Sequence, residues 1–79
     1  MKIEVKLFAT FRNHLPQGCG PFSCHVEVKP GSTVQHVLEE FNLPEDIPKI
    51  ILINGVHARP QDALQEGDIL SVFPPVAGG

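Results

Sequence analysis

Only one stretch of this chain carries a helical period, and strand-like segments flank it on both sides. Val34, Val37, Leu38 and Phe41 stand at i, i+3, i+4 and i+7, so their side chains line one face of a helix over about residues 33–41. Ser32 as N-cap with Gln35 three residues later fits a capping box, in which each side chain satisfies a backbone N–H that the first turn leaves unpaired. Before the helix, Ile3, Val5 and Leu7 alternate with Glu4 and Lys6, and Cys24, Val26 and Val28 alternate with His25, Glu27 and Lys29. Both patterns describe strands with one buried face, and the second most simply returns antiparallel to the first. Residues 13–23 between them hold Pro16, Gly18, Gly20 and Pro21, a density of breakers that makes the segment a loop.

After the helix, Pro44 and Pro48 bracket a non-helical link, and Ile50, Ile51, Leu52 and Ile53 form a β-branched-rich run typical of a strand buried on at least one side. Asn54-Gly55 ends that run in a tight turn. Residues 56–59 carry a weak edge-strand signal, Glu66-Gly67-Asp68 reads as a turn, and residues 69–73 form a last strand that Pro74 and Pro75 stop. One amphipathic helix can cover one face of one sheet, which gives an α+β roll. With the last strand between the first and third, it pairs parallel to the first, and the helix serves in the crossover. A chain of 79 residues makes one domain, residues 1–79, with a tail over residues 74–79. At this size only about 60% of the unfolded surface is hidden, so there is little interior for a deep catalytic cleft. The functional site is expected at a terminus or on the surface.

The formal charge of −3 and the scatter of six Lys and Arg argue against a nucleic-acid partner, whose phosphates need clustered cations. No apolar run approaches the roughly 20 residues that span a bilayer, and the N-terminus has no basic-then-apolar signal pattern. A cytoplasmic protein with no membrane partner is expected. Cys19 and Cys24 are close enough for a loop disulfide, but two free thiols in a reducing cytosol are the expectation. Neither has an obvious base or orienting partner, so an enzyme with a thiol nucleophile is not expected. Cys24 and His25 are adjacent, and His14, His36 and His57 form no ligand motif with them, so no metal site is expected.

The most informative segment is Phe73-Pro74-Pro75-Val76-Ala77-Gly78-Gly79. The two prolines fix their φ angles, and a polyproline-like stretch makes no internal hydrogen bonds, so the tail is expected to stand off the body. Gly78 and Gly79 lack side chains, so a narrow channel in a partner can close on their backbone and reach the terminal carboxylate. A carboxylate is a poor acyl donor, because its charge repels nucleophiles and oxide is a very poor leaving group. Joining it to AMP at the expense of ATP supplies a leaving group, after which a sulfur nucleophile leaves a thiocarboxylate on Gly79. The chain has no G-x-x-x-x-G-K-[ST] loop, so the activating machinery is expected in another protein.

Through Gly67-Asp68, the last strand and the Phe73-to-Gly79 tail, the sequence resembles the ThiS/MoaD family of ubiquitin-like sulfur carriers, with the same order of elements along nearly the whole chain. Leu7-Phe8-Ala9-Thr10-Phe11-Arg12 is more similar to the molybdopterin-synthase small subunit than to the thiamin sulfur carrier. The resemblance implies a β-grasp fold and no tightly bound cofactor. It also implies adenylation of Gly79 by a ubiquitin-activating-type enzyme, sulfur from a persulfide donor protein, and delivery to a large synthase subunit or a thiazole-forming enzyme. Residues 17–23 depart from the family's common pattern. A protein modifier joined to lysines through Gly79 and a β-grasp binding module are the competing readings.

By analogy with the β-grasp, Ile51, Ile53, Leu70 and Val72 face the helix. Leu52, Ile69 and Phe73 then point to the open face, with Leu52 and Phe73 as neighbours in a partner-binding patch beside the tail. Pro74, Pro75, Val76, Ala77 and Gly78 give access to Gly79, the reacting residue.

Overall fold

The computed structural model describes residues 1–75. β1 (Lys2–Leu7) buries its alternate residues, with Ile3, Val5 and Leu7 at 1%, 1% and 0% exposure. β2 (Ser23–Glu27) returns antiparallel, setting Val26 opposite Ile3 and Cys24 opposite Val5. Val28 lies just past this strand, where its N–H still donates to the Met1 carbonyl at 2.8 Å.

Past Leu7 the chain leaves the extended conformation. A 3₁₀ helix spans Ala9–His14 and buries Phe11. Ala9 takes a φ of 53°, which ends the extended backbone, and the Phe11 N–H donates to the Phe8 carbonyl at 3.1 Å, closing a three-residue turn.

The single α-helix, α1 (Val34–Glu40), begins one residue later than its sequence pattern suggested. Thr33 is the N-cap: its hydroxyl accepts from the His36 N–H at 3.4 Å, while the Thr33 N–H donates to His36 Nδ1 at 3.2 Å. Ser32 is not free for this role, because its hydroxyl donates to the Lys29 carbonyl at 2.7 Å across the turn at Gly31. Gln35 reaches sideways to Glu39 and Glu45 instead. The next two unpaired amides of the first turn are taken up by a distant loop, Val34 N–H by the Asp62 carbonyl and Gln35 N–H by the Pro60 carbonyl. At the other end, Asn42 at φ 59° sits in the left-handed region. Its N–H donates to Glu39 and that of Leu43 to Leu38, the two bonds of a Schellman stop.

β3 (Ile50–Ile53) and β4 (Val56–His57) form a hairpin through Asn54-Gly55, both at positive φ (52° and 83°), as a type I′ turn requires. β4 stops at His57, short of the expected residue 59. β5 (Ile69–Phe73) lies between β1 and β3, parallel to β1 and antiparallel to β3, in the order β2-β1-β5-β3-β4. This is the mixed sheet expected of the β-grasp. Val34, Val37, Leu38 and Phe41 of the helix segment pack with Ile3, Val5, Leu7, Leu70 and Val72 in one core, each fully buried aliphatic contributing about 1.5–3 kcal/mol.

Candidate docking face and tail

The residues that alternate with the core positions define the open face: Glu4 and Lys6 on β1, Ile69, Ser71 and Phe73 on β5, Ile50 and Leu52 on β3. Phe8 continues the phase of Glu4 and Lys6 beyond the end of β1, and its N–H donates to the Val72 carbonyl at 3.2 Å. That bond brings its ring onto Phe73, parallel within 3° and with centroids 4.2 Å apart. Phe22 stacks on the other side of Phe8 at 5.7 Å and 24°. The three rings form a row across one end of the sheet, and Ile50, opposite Phe73 in the β3–β5 register, extends it. Phe22 and Ile50 are 41% and 37% exposed, which leaves an apolar strip in water at the point where the chain passes from Phe73 to half-buried Pro74 and exposed Pro75.

The orientation expected for the strands holds. Ile51 is buried and Ile53 packs against the core, while Leu52, Ile69 and Phe73 are half-buried on the other face. Their grouping is different. Leu52 stands opposite Ser71, diagonal to Phe73, so the immediate neighbours of Phe73 are Phe8 and Ile50. Ile69 lies four residues back along β5, roughly 13 Å from Phe73, and its N–H donates to Asn54 Oδ1 at 2.9 Å. It does not join the aromatic row. Phe8 and Ile50 had a sequence signal in the strand phase. Phe22 had none, because a loop places it. Val76, Ala77, Gly78 and Gly79 lie outside the described residues.

The cysteines correct the expectation of free thiols: Cys19 and Cys24 are joined in a disulfide, with Cα atoms 5.0 Å apart. Gly18 at φ 91° lets the loop turn back, and the Gly20 N–H donates to the Ser23 carbonyl at 2.9 Å, which brings Cys19 against the start of β2. Three of the histidines have local partners: His14 contacts the Phe41 carbonyl, His36 caps α1 and His25 lies 3.9 Å from Glu4. Among the described residues, no three His, Cys, Asp or Glu side chains gather as a metal site would need. No helix among them is long and apolar enough to cross a membrane. The Asp62 carboxyl, in the loop between β4 and β5, is held below its ordinary value of 3.8, chiefly by the Arg59 backbone N–H that donates to it at 2.8 Å.

Residues 5–79 match the ThiS family. The chain belongs to that family. Small archaeal modifier protein 3 of Haloferax volcanii is 32% identical to this ThiS-family chain over an alignment 96 positions long, covering 100% of each. Among solved structures, SAMP1 from Haloferax volcanii superposes with a TM-score of 0.75 at 27% identity over 100% of both chains. A putative molybdopterin converting factor, subunit 1, from Pyrococcus furiosus gives 0.73 at 29%, covering 95% of this chain and 98% of its own. The β-grasp, ubiquitin-like fold is thus shared along essentially the whole ThiS-family chain.

Proposed function

We propose that this protein is a sulfur carrier that works in the cytoplasm through the carboxylate of Gly79. A ubiquitin-activating-type enzyme spends ATP to join that carboxylate to AMP, releasing pyrophosphate. A persulfide donor protein then displaces AMP, and reductive cleavage of the resulting acyl disulfide by a thiol leaves the thiocarboxylate. The carrier gives up this sulfur to a cofactor precursor, of molybdopterin type in preference to the thiamin thiazole, held by a large synthase subunit or a thiazole-forming enzyme. The observation that carries the reading is the family match running through Gly79 on a chain whose last strand passes directly into Pro74-Pro75. The likeness to the Pyrococcus protein favours the molybdopterin branch. Phe73, with Phe8 and Ile50 around it and Leu52 and Ile69 further along the face, supplies the surface on which partners dock while the tail reacts.

A second reading is favoured by the Haloferax relative, a modifier by name: activated Gly79 is joined to lysines of other proteins. The two share every step up to the adenylate. Gly78→Val tests what they share, because a Cβ there collides with a channel shaped for bare backbone. Loss of adenylation in a folded variant is expected, and near-normal rates would contradict the proposal. Immunoblots of cell extracts under strong reduction separate the two: lysine-linked adducts survive as higher-mass bands, whereas a dedicated sulfur carrier runs as one band.

A further inference from the structure

Alternation along β2 carries Cys24 and Val26 to the helix side of the sheet, opposite Val5 and Ile3. Continued one step further, it would carry Phe22 to that side as well, next to Leu7. Its ring lies instead against Phe8, on the open face. The backbone at Phe22 is still tied to β1, since the Leu7 N–H donates to its carbonyl at 2.8 Å. Just before it the chain bends at residues 19–21, and that bend is closed by the Cys19–Cys24 disulfide together with the Gly20-to-Ser23 bond.

Resting on the sulfur-carrier reading, we propose that Cys19–Cys24 is a dithiol-reducible latch that sets the aromatic docking face. Closed, it holds Phe22 on Phe8 and completes the row Phe22–Phe8–Phe73 that leads to the tail. A cellular dithiol opens it: one thiolate attacks Cys19 Sγ, the Cys24 thiolate leaves, and the second thiol of the reductant resolves the mixed disulfide. Two electrons and two protons pass to the protein, and the reductant leaves as its own disulfide. Both cysteines are half-buried, Cys24 on the edge strand β2 and Cys19 in the loop before it, whose residues 17, 18 and 20–22 are exposed, so a reductant can approach. A disulfide in a protein that works beside ATP in the cytoplasm belongs to the transient, redox-sensing kind. Once open, the glycine-rich loop gains freedom, and a partner must order Phe22 anew, a cost that weakens docking by about threefold to tenfold.

The test compares the oxidised chain, the same chain in dithiothreitol, and the Cys19→Ser, Cys24→Ser double variant. Ring-to-ring nuclear Overhauser effects between Phe22 and Phe8 are expected in the oxidised chain and lost in the other two, while those between Phe8 and Phe73 persist in all three. Charging of Gly79 by the host's adenylating enzyme, measured at subsaturating carrier with the double variant to avoid reductant, is expected to slow by a similar threefold to tenfold. Phe22→Ala, at a side chain 41% exposed, should reproduce that slowing with the disulfide intact. Phe22–Phe8 contacts that survive reduction, or charging of the double variant at the oxidised rate, would overturn the latch. If no form is charged at all, the Gly79 reading fails, and the ring contacts alone decide the latch.

Discussion

On the helix side of the sheet, Ile3, Val5, Leu7, Leu70 and Val72 are each at or below 1% exposure, whereas on the other side Phe8, Leu52, Ile69 and Phe73 remain half-buried and Phe22 and Ile50 more exposed still. The first face is aliphatic, is filled from one helix, and holds the fold together. The second has aromatic rings stacked on one another at the end of the strand that leads into Pro74 and Pro75. One strand, β5, serves both: Leu70 and Val72 look into the core, while Phe73 looks out on the open face. Under the proposed function, stability and docking are therefore expected to separate by substitution along five consecutive residues.

Leu70→Ala should have the largest effect. It leaves a cavity at a fully buried site, which costs about 2–5 kcal/mol, a large share of the stability of a domain of this size. Urea unfolding should show the loss, while the folded fraction keeps its affinity for the adenylating enzyme. A fall in affinity per folded molecule would mean the two faces are coupled.

Next is the disulfide. Opening a loop this short with Cys19→Ser and Cys24→Ser should take about 2 kcal/mol, or a Tm lower by roughly 10 °C. An unchanged Tm would mean the thiols are unbridged in solution.

Phe73→Ala sharpens the comparison. Its ring is half-buried and stacked on Phe8, so truncation should cost about 1–2 kcal/mol of stability and weaken partner binding more than about tenfold. Calorimetry and thermal unfolding on one variant decide it. A stability loss equal to that of Leu70→Ala with unchanged affinity would assign Phe73 to the core.

The smallest effect belongs to a region outside both faces. Asp62 has a folded pKa below its ordinary 3.8, so its bonds to Arg59 stabilise the fold fully above that value, and the contribution disappears as pH falls through the lower folded value. Asp62→Asn should therefore be slightly less stable than the parent at neutral pH and equal to it in acid. A gap in urea midpoints that stays constant with pH would place the effect elsewhere.

The core face was legible because its rules are local. The alternation of Ile3, Val5 and Leu7, the helical spacing from Val34 to Phe41, and the Asn54-Gly55 turn each fix their own geometry, and the parallel pairing of β5 follows once it is set between β1 and β3, as in the β-grasp that the family resemblance implied. The parts that were not legible depend on residues far apart in sequence. Ser32 and Thr33 are equally good caps by type, and the choice falls to Thr33 because Ser32 is bound to Lys29 and the loop carbonyls of Pro60 and Asp62 take the next amides. The disulfide and the side-chain reversal at Phe22 follow from how a glycine-rich loop folds back on β2, which no period records. On the candidate site, strand phase placed Phe73, Leu52 and Ile69 on the open face. The stacking of Phe8 and Phe22, which makes one end of that face a patch, needed the three-dimensional register.

The central claim, that Gly79 carries the sulfur while the folded body only presents it, is tested most directly by intact mass. The full chain and a chain ending at Gly78 are incubated with ATP, the adenylating enzyme and a persulfide donor. The account predicts that the full chain gains the mass of one oxygen-to-sulfur exchange and that the shortened chain, equally folded, gains nothing. A shortened chain that acquires the same mass and still supports cofactor synthesis would contradict it.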